Sequence, residues 1–431
     1  MSDLLAARSQ MAISLGFHII FAAIGVAMPF LMAAAHWKWL KTGKPVYRDL
    51  TQAWSKGVAI LFATGAVSGT VLSFELGLLW PKFMENAGAI IGMPFSWEGT
   101  AFFLEAIAIG IFLYGWNRVS PWVHWTSGLV VGISGVLSAL FVICANGWMN
   151  SPAGFEWVQG HPVKIDPWAA MFNQAALGQG IHMVIAAFEA TAIAVTGIHA
   201  MGLLKAPHSA FHREAFKIGL TFAAFAALIQ PLDGDRLAKS VAVRQPVKLA
   251  AMEALFETSQ PAPFLLGGIP HQDSRTVSYG LHIPKVLSFL AHGDFNSKVL
   301  GLDSVPSDQW PPVAITHFAF QLMIGLGTLL AIFSIFSFYF LVRKPEAIFK
   351  RSFLRIAALC TPLGFVAIEA GWAVTEVGRQ PWIIYGIMRT SDAVTPMKGV
   401  VYPMTLFTLL YLFLSFMIIW LLRRQFKHVT S

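Results

Sequence analysis

Long runs of apolar residues constrain this chain more than any other feature of its sequence. A helix needs about 20 predominantly apolar residues to cross a bilayer. Nine runs reach about that length, at residues 11–35, 57–80, 97–116, 123–148, 177–204, 216–232, 312–342, 354–375 and 400–422. Because 56% of the 431 residues are hydrophobic and only 12% are charged, a water-soluble domain of this size is excluded. The sequence therefore predicts an all-α integral membrane protein with about nine transmembrane helices.

The Lys and Arg residues of the short loops predict the orientation of these helices. Basic residues concentrate in cytoplasmic loops because they resist translocation. The loops 36–53, 117–122, 205–217 and 343–351, together with the C-terminal tail, carry fifteen of them, whereas the alternate set carries six. We therefore expect the N-terminus outside and the C-terminus in the cytoplasm. This topology also explains the net charge of +8, and we expect no nucleic-acid partner.

One long segment, residues 233–311, lies outside the apolar runs and is rich in Gly, Pro, Asp and His. The order of the helices assigns it to the outer side. A loop of this length in a compact protein usually has a function or is mobile, so we expect a binding region there. Because neither a repeat nor a change of composition divides the chain, residues 1–431 are expected to form a single transmembrane domain.

Few ionisable residues occur inside or at the ends of the apolar runs. They are Glu75, Glu98, Glu105, Glu189, Glu369, Glu376, His18, His182 and His199. A charge in hydrocarbon costs at least roughly 2.5 to 3.5 kcal/mol on insertion scales, so each needs a partner, a water-filled cavity or a cofactor. Residues seven apart lie on nearly the same face of a helix, two turns from each other. Three pairs have this spacing: Glu98 with Glu105, His182 with Glu189, and Glu369 with Glu376. Buried Lys and Arg, which a charge-paired transporter would need, are nearly absent, so the pattern favours proton handling.

Two histidines and a methionine in the outer half of the predicted membrane region are candidate heme ligands. His18 lies about two turns from the outer end of the first run and His182 about one and a half turns from the outer end of the fifth, while Met323 lies in the seventh. One His and one Met from facing helices form the axial pair of a low-spin heme with a raised potential. Each residue by itself is more often a packing residue, so the hypothesis depends on the set.

The stretch GWAVTEVGRQPW, residues 371–382, is the most specific motif of the sequence. It brings Glu376, Arg379, Trp372 and Trp382 together at the outer end of the eighth run. A guanidinium binds a heme propionate through two parallel hydrogen bonds. The two indoles suit either a porphyrin face or the aromatic belt at the membrane surface, but a belt does not explain the carboxylate.

This stretch closely resembles subunit I of the cytochrome bd family of quinol oxidases. Further matching blocks are WEGTAFFLE at 97–105, ANGWM at 145–149 and QPVKLAAME at 245–253, and the match runs from the first apolar run to the ninth. The outer loop is short for the family and resembles its short-loop, cyanide-insensitive branch. Gln321 stands where many members carry Arg, and Glu75 differs from the usual amide-bearing stretch. Both departures bear on the potential of the low-spin heme and on whether a d-type heme is present.

The resemblance implies a set of heme-binding residues. His182 and Met323 would be the axial ligands of a low-spin heme b, while His18 and Glu376 would each bind the iron of one high-spin heme. Arg379 and Trp372 would complete the binding sites. The expected cofactors are two hemes b and one heme d, or a third heme b in place of heme d.

The resemblance also implies residues for proton and quinol chemistry. Glu98 would lie beside the oxygen-reducing pair of hemes, with Glu105 and Ser138 on the proton route, and these three together with Glu376 are the expected catalytic residues. Lys248 and Glu253 would mark the quinol site at the root of the outer loop. Without the resemblance, Lys248 and Glu253 would be interpreted as an ordinary surface ion pair.

The expected protein is the heme-bearing subunit I of a terminal oxidase in the bacterial cytoplasmic membrane. It would oxidise ubiquinol or menaquinol at the outer face and reduce O2 to water with cytoplasmic protons, and so build a proton gradient without pumping. Its expected partners are subunit II, a small single-helix subunit and membrane lipid.

Three other classes of membrane protein compete with this interpretation. A cytochrome b that carries electrons without reducing O2 would use His182 and Met323 but leave His18, Glu98 and Glu376 without a role. A heme-copper oxidase would need more than the three histidines that lie well inside the runs. A secondary transporter would need inverted repeats and interrupted helices, and the sequence indicates neither.

Overall fold

The computed structural model describes residues 1–425 with their side chains and residues 426–430 as helical backbone. Within this part, nine helical segments are long and apolar enough to cross a membrane, which confirms the predicted class. In chain order the helices are α1 (Asp3–Thr42), α2 (Pro45–Leu79), α3 (Pro81–Tyr114), α4 (Pro121–Asn150), α5 (Pro167–Met171), α6 (Ala176–Lys205), α7 (Ala210–Arg244), α8 (Pro246–Met252), α9 (Val286–His292), α10 (Val313–Arg343), α11 (Arg351–Leu359), α12 (Leu363–Val377), α13 (Thr390–Ala393) and α14 (Val401–Thr430). Following the predicted topology, we call the side on which α1 begins the outer side.

Capping residues explain where the long helices begin and end. A proline occupies the first turn of α2, α3 and α4, where its missing N–H removes no helical hydrogen bond. The Ser2 and Ser120 hydroxyls cap α1 and α4 by accepting backbone N–H bonds. Gly43, with a φ of 66°, ends α1. The helices α1 and α4 extend beyond their apolar runs at both ends, and α2 and α3 extend beyond theirs at the N-terminal end.

The helix α7 continues past its predicted end at residue 232 and reaches Arg244. Residues 233–244, which the sequence analysis assigned to the loop, are therefore helical. Ion pairs one turn apart, Asp233 with Arg236 and Asp235 with Lys239, stabilise this polar extension. The apolar run stops at residue 232, but the helix does not.

The eighth span consists of two helices, so the expectation of uninterrupted spans is wrong at this place. The helix α11 ends at Leu359, and α12 begins at Leu363 after a turn that contains Pro362. A proline has no N–H to donate, and its ring clashes with the preceding helical turn. The break leaves α12 as a separate helix of 15 residues, and this helix carries Glu376.

Three two-stranded antiparallel hairpins lie outside the spans. They pair β1 (Glu156–Val158) with β2 (His161–Val163), β3 (Phe264–His271) with β4 (Thr276–Ile283), and β5 (Trp382–Ile384) with β6 (Met388–Arg389). The hairpin β3–β4 belongs to the outer loop and packs against α10. His317 of α10 holds it, since its ring nitrogens lie 2.8 Å from the carbonyl oxygen of Met252 and 3.0 Å from that of Gly267.

The helix α1 lies between two groups of helices, in contact with α2, α4, α6 and α14. On one side α3 packs against α4, and on the other α6 packs against α7, while α10 packs against α7 and α12. The largest fully buried side chains include Trp148, Phe83, Phe112 and Phe216, which come from both groups. The bundle thus has two halves that share α1.

Candidate functional site

His18 of α1 is oriented by a hydroxyl of α2. Its Nδ1 lies 2.9 Å from the Oγ of Ser68. Because the Ser68 hydroxyl donates its hydrogen to the carbonyl of Thr64 at 3.0 Å, it accepts from Nδ1–H and leaves the lone pair of Nε2 for an iron. A Cβ on Gly69 would lie 3.1 Å from the His18 ring, so this glycine lets α2 approach the imidazole closely. The helices α1 and α2 thus hold the His18 imidazole in an orientation that suits an iron ligand.

His182 of α6 faces the extension of α7. Its Nδ1 lies 3.3 Å from the carboxylate of Asp233, the arrangement in which a carboxylate fixes the tautomer of a metal-binding histidine. The Gln230 amide lies over the same ring, with its Nε2 3.1 Å from the Nε2 of His182, so iron binding there requires the Gln230 side chain to move. Nothing in the sequence linked Asp233 to His182, 51 residues away.

Met323 of α10 faces α12. Its Sδ lies 3.1 Å from the position that a Cβ on Gly371 would take. A larger residue at 371 would therefore displace the thioether. Trp372 packs into a core cluster with Ile19 of α1 and Ile368 of α12. This is a position inside the bundle and not that of an anchor in the aromatic belt.

The carboxylate of Glu376 bridges two halves of the bundle. Its Oε1 accepts a hydrogen bond from Asn146 Nδ2 of α4 at 2.5 Å, and its Oε2 accepts one from Arg379 Nη2 at 2.5 Å. The structure thus brings the GWAVTEVGRQPW and ANGWM motifs together. Each oxygen keeps a second lone pair, through which Glu376 could bind an iron.

Arg379 is 3% exposed, and its Nε and Nη1 have no hydrogen-bond partner in the described part of the chain. The same holds for both Nη atoms of Arg244, which ends α7. A buried donor without an acceptor costs roughly 1–3 kcal/mol, so four such atoms at one end of the bundle indicate a site for an anionic group. A heme propionate has the oxygens that these guanidinium groups lack.

Glu98 and Glu105 form the predicted ladder along α3. Glu105 is buried, and its Oε1 lies 3.6 Å from the position that a Cβ on Gly135 of α4 would take. Glu98 lies two turns nearer the outer side and accepts a hydrogen bond from the Ser138 hydroxyl at 3.2 Å. Ser138 therefore contacts the upper carboxyl of the ladder.

Lys248 and Glu253 are both 4% exposed, and no ion pair joins them among residues 1–425. The interpretation as a surface ion pair is therefore wrong. The ammonium nitrogen of Lys248 donates to Asn150 Oδ1 at 2.7 Å and to the carbonyl of Thr375 at 3.1 Å. Burial, and then the positive charge of Arg379, hold the pKa of Lys248 well below its usual value. Burial raises the pKa of Glu253 to about 8.

A cavity of about 130 Å³ opens beside Lys248. Its lining includes Gln309 from the outer loop and Arg379, Trp382 and Tyr385 from the segment after α12. Gln309 and Tyr385 were not expected from the sequence, because nothing in their local patterns marks them. Their position in the cavity lining results from the way the outer loop and the β5–β6 hairpin fold over Lys248.

The family model for cytochrome bd terminal oxidase subunit I matches residues 6–430. The chain is 34% identical over 431 residues to a Bacillus subtilis protein provisionally named cytochrome bd menaquinol oxidase subunit I, covering 99% of this chain and 97% of that one. It is 28% identical to cytochrome bd ubiquinol oxidase subunit 1 of the same organism, covering 99% and 94%. Its fold is similar to that of the bd oxidase from Geobacillus thermodenitrificans, with a TM-score of 0.93 and 37% identity over 99% of both chains.

Proposed function

This chain belongs to the cytochrome bd terminal oxidase subunit I family, and from that membership we propose that it oxidises quinol on the outer side and passes the electrons to hemes that reduce O2 to water. It is a multi-pass protein of the bacterial cytoplasmic membrane. The observation that carries the proposal is the cavity lined by two buried basic residues, Arg379 and Lys248, with the partly exposed Glu376 bound to Arg379. It puts a candidate iron ligand, unpaired guanidinium donors and a candidate quinol site at one end of the bundle.

The heme-binding residues of the proposal fit the group chemically. His182 and Met323 would hold the low-spin heme b, and His18 and Glu376 would each hold one high-spin heme, while Trp372 packs beside them. Arg379 would bind a propionate through its free N–H groups. Bound hemes would supply one-electron transfer and the site of O2 reduction. The full complement would be two hemes b with one heme d, or with a third heme b.

The cavity beside Lys248 is the proposed quinol site, in the part of the outer loop that follows α7. Burial lowers the pKa of Lys248 and so favours the neutral form over that of an exposed lysine. In this form the amine has two N–H groups for the oxygens of Asn150 and Thr375, and one lone pair. That lone pair can accept the proton of a quinol hydroxyl. Glu253, whose pKa burial raises to about 8, can then take up a proton and release it to the outer side. Whether the substrate is ubiquinol or menaquinol depends on the ring that this cavity admits.

Protons for water formation would come from the cytoplasmic side along Glu105, Glu98 and Ser138. The proposed ligands lie in the outer half of the spans, so these protons cross most of the membrane while the quinol protons leave outside. Charge would thus be separated without a pump. Exposed apolar side chains on α3, among them Phe103, Leu104 and Ile107, are available for subunit II, a small single-helix subunit or lipid.

Quinol-driven O2 consumption by the purified complex tests this function. The proposal predicts that Glu376→Gln removes O2 reduction while His182→Ala removes quinol oxidation. If the Glu376→Gln variant still reduces O2 at the normal rate, the chain fits the alternative of a membrane cytochrome b, whose electrons leave by another route.

A further inference from the structure

Glu75 of α2 is a buried carboxyl that has no role in the proposed function. Glu75 is fully buried, with 0% exposure. Its Oε1 accepts hydrogen bonds from Gln10 Nε2 at 3.0 Å and from Ser14 Oγ at 2.9 Å, both on α1. Its Oε2 has no hydrogen-bond partner among the described residues, and neither has the hydroxyl of Tyr411, which faces Ser14 and Glu75 from α14. Two polar atoms thus lie unpaired in one buried cluster.

The cluster lies directly on the outer side of His18. Gln10, Ser14 and His18 follow each other at intervals of four residues and therefore share one face of α1. Ser68 and Glu75 are seven apart and share one face of α2. Because Ser68 contacts His18 and Ser14 contacts Glu75, these two faces of α1 and α2 pack against each other. The carboxyl is one to two helical turns, about 6–10 Å, from the His18 ring along the helix axes.

No basic side chain compensates the charge of Glu75. None of the ion pairs within residues 1–425 includes it. The residues that face it are neutral Gln10 and Ser14 from α1 and Tyr411 from α14. The ionisable groups of α1 on either side of them are Arg8, which forms no ion pair within residues 1–425, and His18. On α3, the charged side chains near the turn from α2, Lys82 and Glu85, are exposed. A carboxylate in such surroundings depends on a positive charge nearby, and an iron held by His18 would supply it.

We propose that Glu75 takes up one proton from the outer side when the heme held by His18 is reduced and releases it when that heme is oxidised. This inference rests on the proposed role of His18. The electron is added to the iron and the proton to Oε2, where an O–H bond forms and no other bond changes. A turn of the Tyr411 hydroxyl, which has no hydrogen-bond partner in this structure, would let it donate to Oε2 of the ionised carboxylate and accept from Oε2–H of the protonated carboxyl. Gln10 and Ser14 keep Oε1 occupied in both states.

Infrared difference spectroscopy of the purified complex, reduced minus oxidised, tests the proposal. Wild type should show a carbonyl band of a protonated carboxyl that appears on reduction, and Glu75→Gln should lack it. The midpoint potential of the heme at His18 should fall with rising pH in wild type and lose this dependence in Glu75→Gln. The matched control is Glu189→Gln, the same change at a carboxyl that is also 5% or less exposed but lies on α6, two turns from His182, and it should leave both signals unchanged.

Heme extraction from each sample separates the two hypotheses. A wild-type complex that lacks the heme at His18 would overturn both the proposed function and this inference. A full complement of hemes, with the carboxyl band and the pH dependence retained in Glu75→Gln, would overturn the inference alone. If Glu75→Gln does not assemble, Tyr411→Phe decides: it removes the hydrogen-bond partner and should shift the frequency of the band, and an unshifted band contradicts the proposal.

Discussion

The half of the bundle formed by α1 to α4 and the outer end of the other half differ in the partners of their charged residues. In the half formed by α1 to α4, the carboxyls Glu75 and Glu98 accept hydrogen bonds from neutral amides and hydroxyls. At the outer end of α7, α8 and α12, Lys248 lies near two arginines, Arg244 and Arg379, and a single carboxylate, that of Glu376. A carboxyl that is hydrogen-bonded only to neutral groups can gain and lose a proton. Guanidinium groups that outnumber the neighbouring carboxylates can bind a further anion. The first half is therefore suited to proton transfer and the second to binding heme propionates and quinol.

Replacement of Arg379 should have the largest effect on the anion-binding half. Arg379→Gln removes the charged partner of Glu376, whose side chain is 27% exposed, together with the guanidinium donors that would hold a propionate. We expect loss of the heme at Glu376 and a fall in quinol oxidation of about 100-fold, since breaking a largely buried ion pair costs up to about 3 kcal/mol. The control is Arg389→Gln, because Arg389 also pairs with a carboxylate, Asp308, but on an exposed surface. If the two variants bind the same amount of heme, the proposed role of Arg379 in heme binding is contradicted.

The carboxylate behind His182 should matter next. Asp233→Asn removes the charge that orients the imidazole, and loss of such a partner typically costs 10–100-fold in metal affinity. We expect a reduced low-spin signal in the reduced-minus-oxidised spectrum, with the high-spin signals intact. Asp235→Asn on the same helix removes only an ion pair with Lys239 and should leave the spectrum unchanged. Equal spectra from both variants would contradict the assignment of His182.

The pH dependence of quinol oxidation should report Glu253. Because burial raises the pKa of this carboxyl to about 8, roughly one tenth of it is ionised at pH 7 and most of it at pH 9. Only the ionised form accepts a proton, so the rate at limiting quinol should rise about tenfold over that range. Glu253→Gln should abolish the rise, and Glu257→Gln, at an exposed position, should retain it. A rise that persists in Glu253→Gln would assign the proton acceptor to another group.

The smallest effect is expected in the proton-transfer half. Ser138→Ala removes one neutral hydrogen bond to Glu98, worth about 1 kcal/mol, or a factor of about five in rate. The measurement is O2 consumption under saturating quinol, where proton delivery limits the rate. Ser134→Ala, one turn away on α4 at a position more deeply buried than that of Ser138, should have no effect. A loss as large as that expected for Arg379→Gln would show that the two halves do not differ in the way described.

Relationships within one helix could be predicted from the sequence. The ladder of Glu98 and Glu105 follows from helical periodicity, and so does the proximity of Glu376 and Arg379, which are one turn apart. The nine spans follow from their length and composition. The extension of α7 to Arg244 was missed because its stability comes from ion pairs one turn apart and not from apolar residues.

Contacts between distant parts of the chain could not be predicted. Asp233 meets His182, and Gln10 meets Glu75, across 51 and 65 residues, and no local pattern carries that information. The cavity beside Lys248 forms where the outer loop and the segment after α12 fold together. The burial of Lys248 and Glu253 was missed for the same reason, since charged side chains in a polar segment suggest a surface.

The heme content of the purified complex is the decisive measurement for the proposed function. We expect three hemes for each copy of this chain, by extraction and by the reduced-minus-oxidised spectrum, and loss of the low-spin signal alone in His182→Ala. A complex without heme, or a His182→Ala variant with all of its heme signals intact, would contradict it.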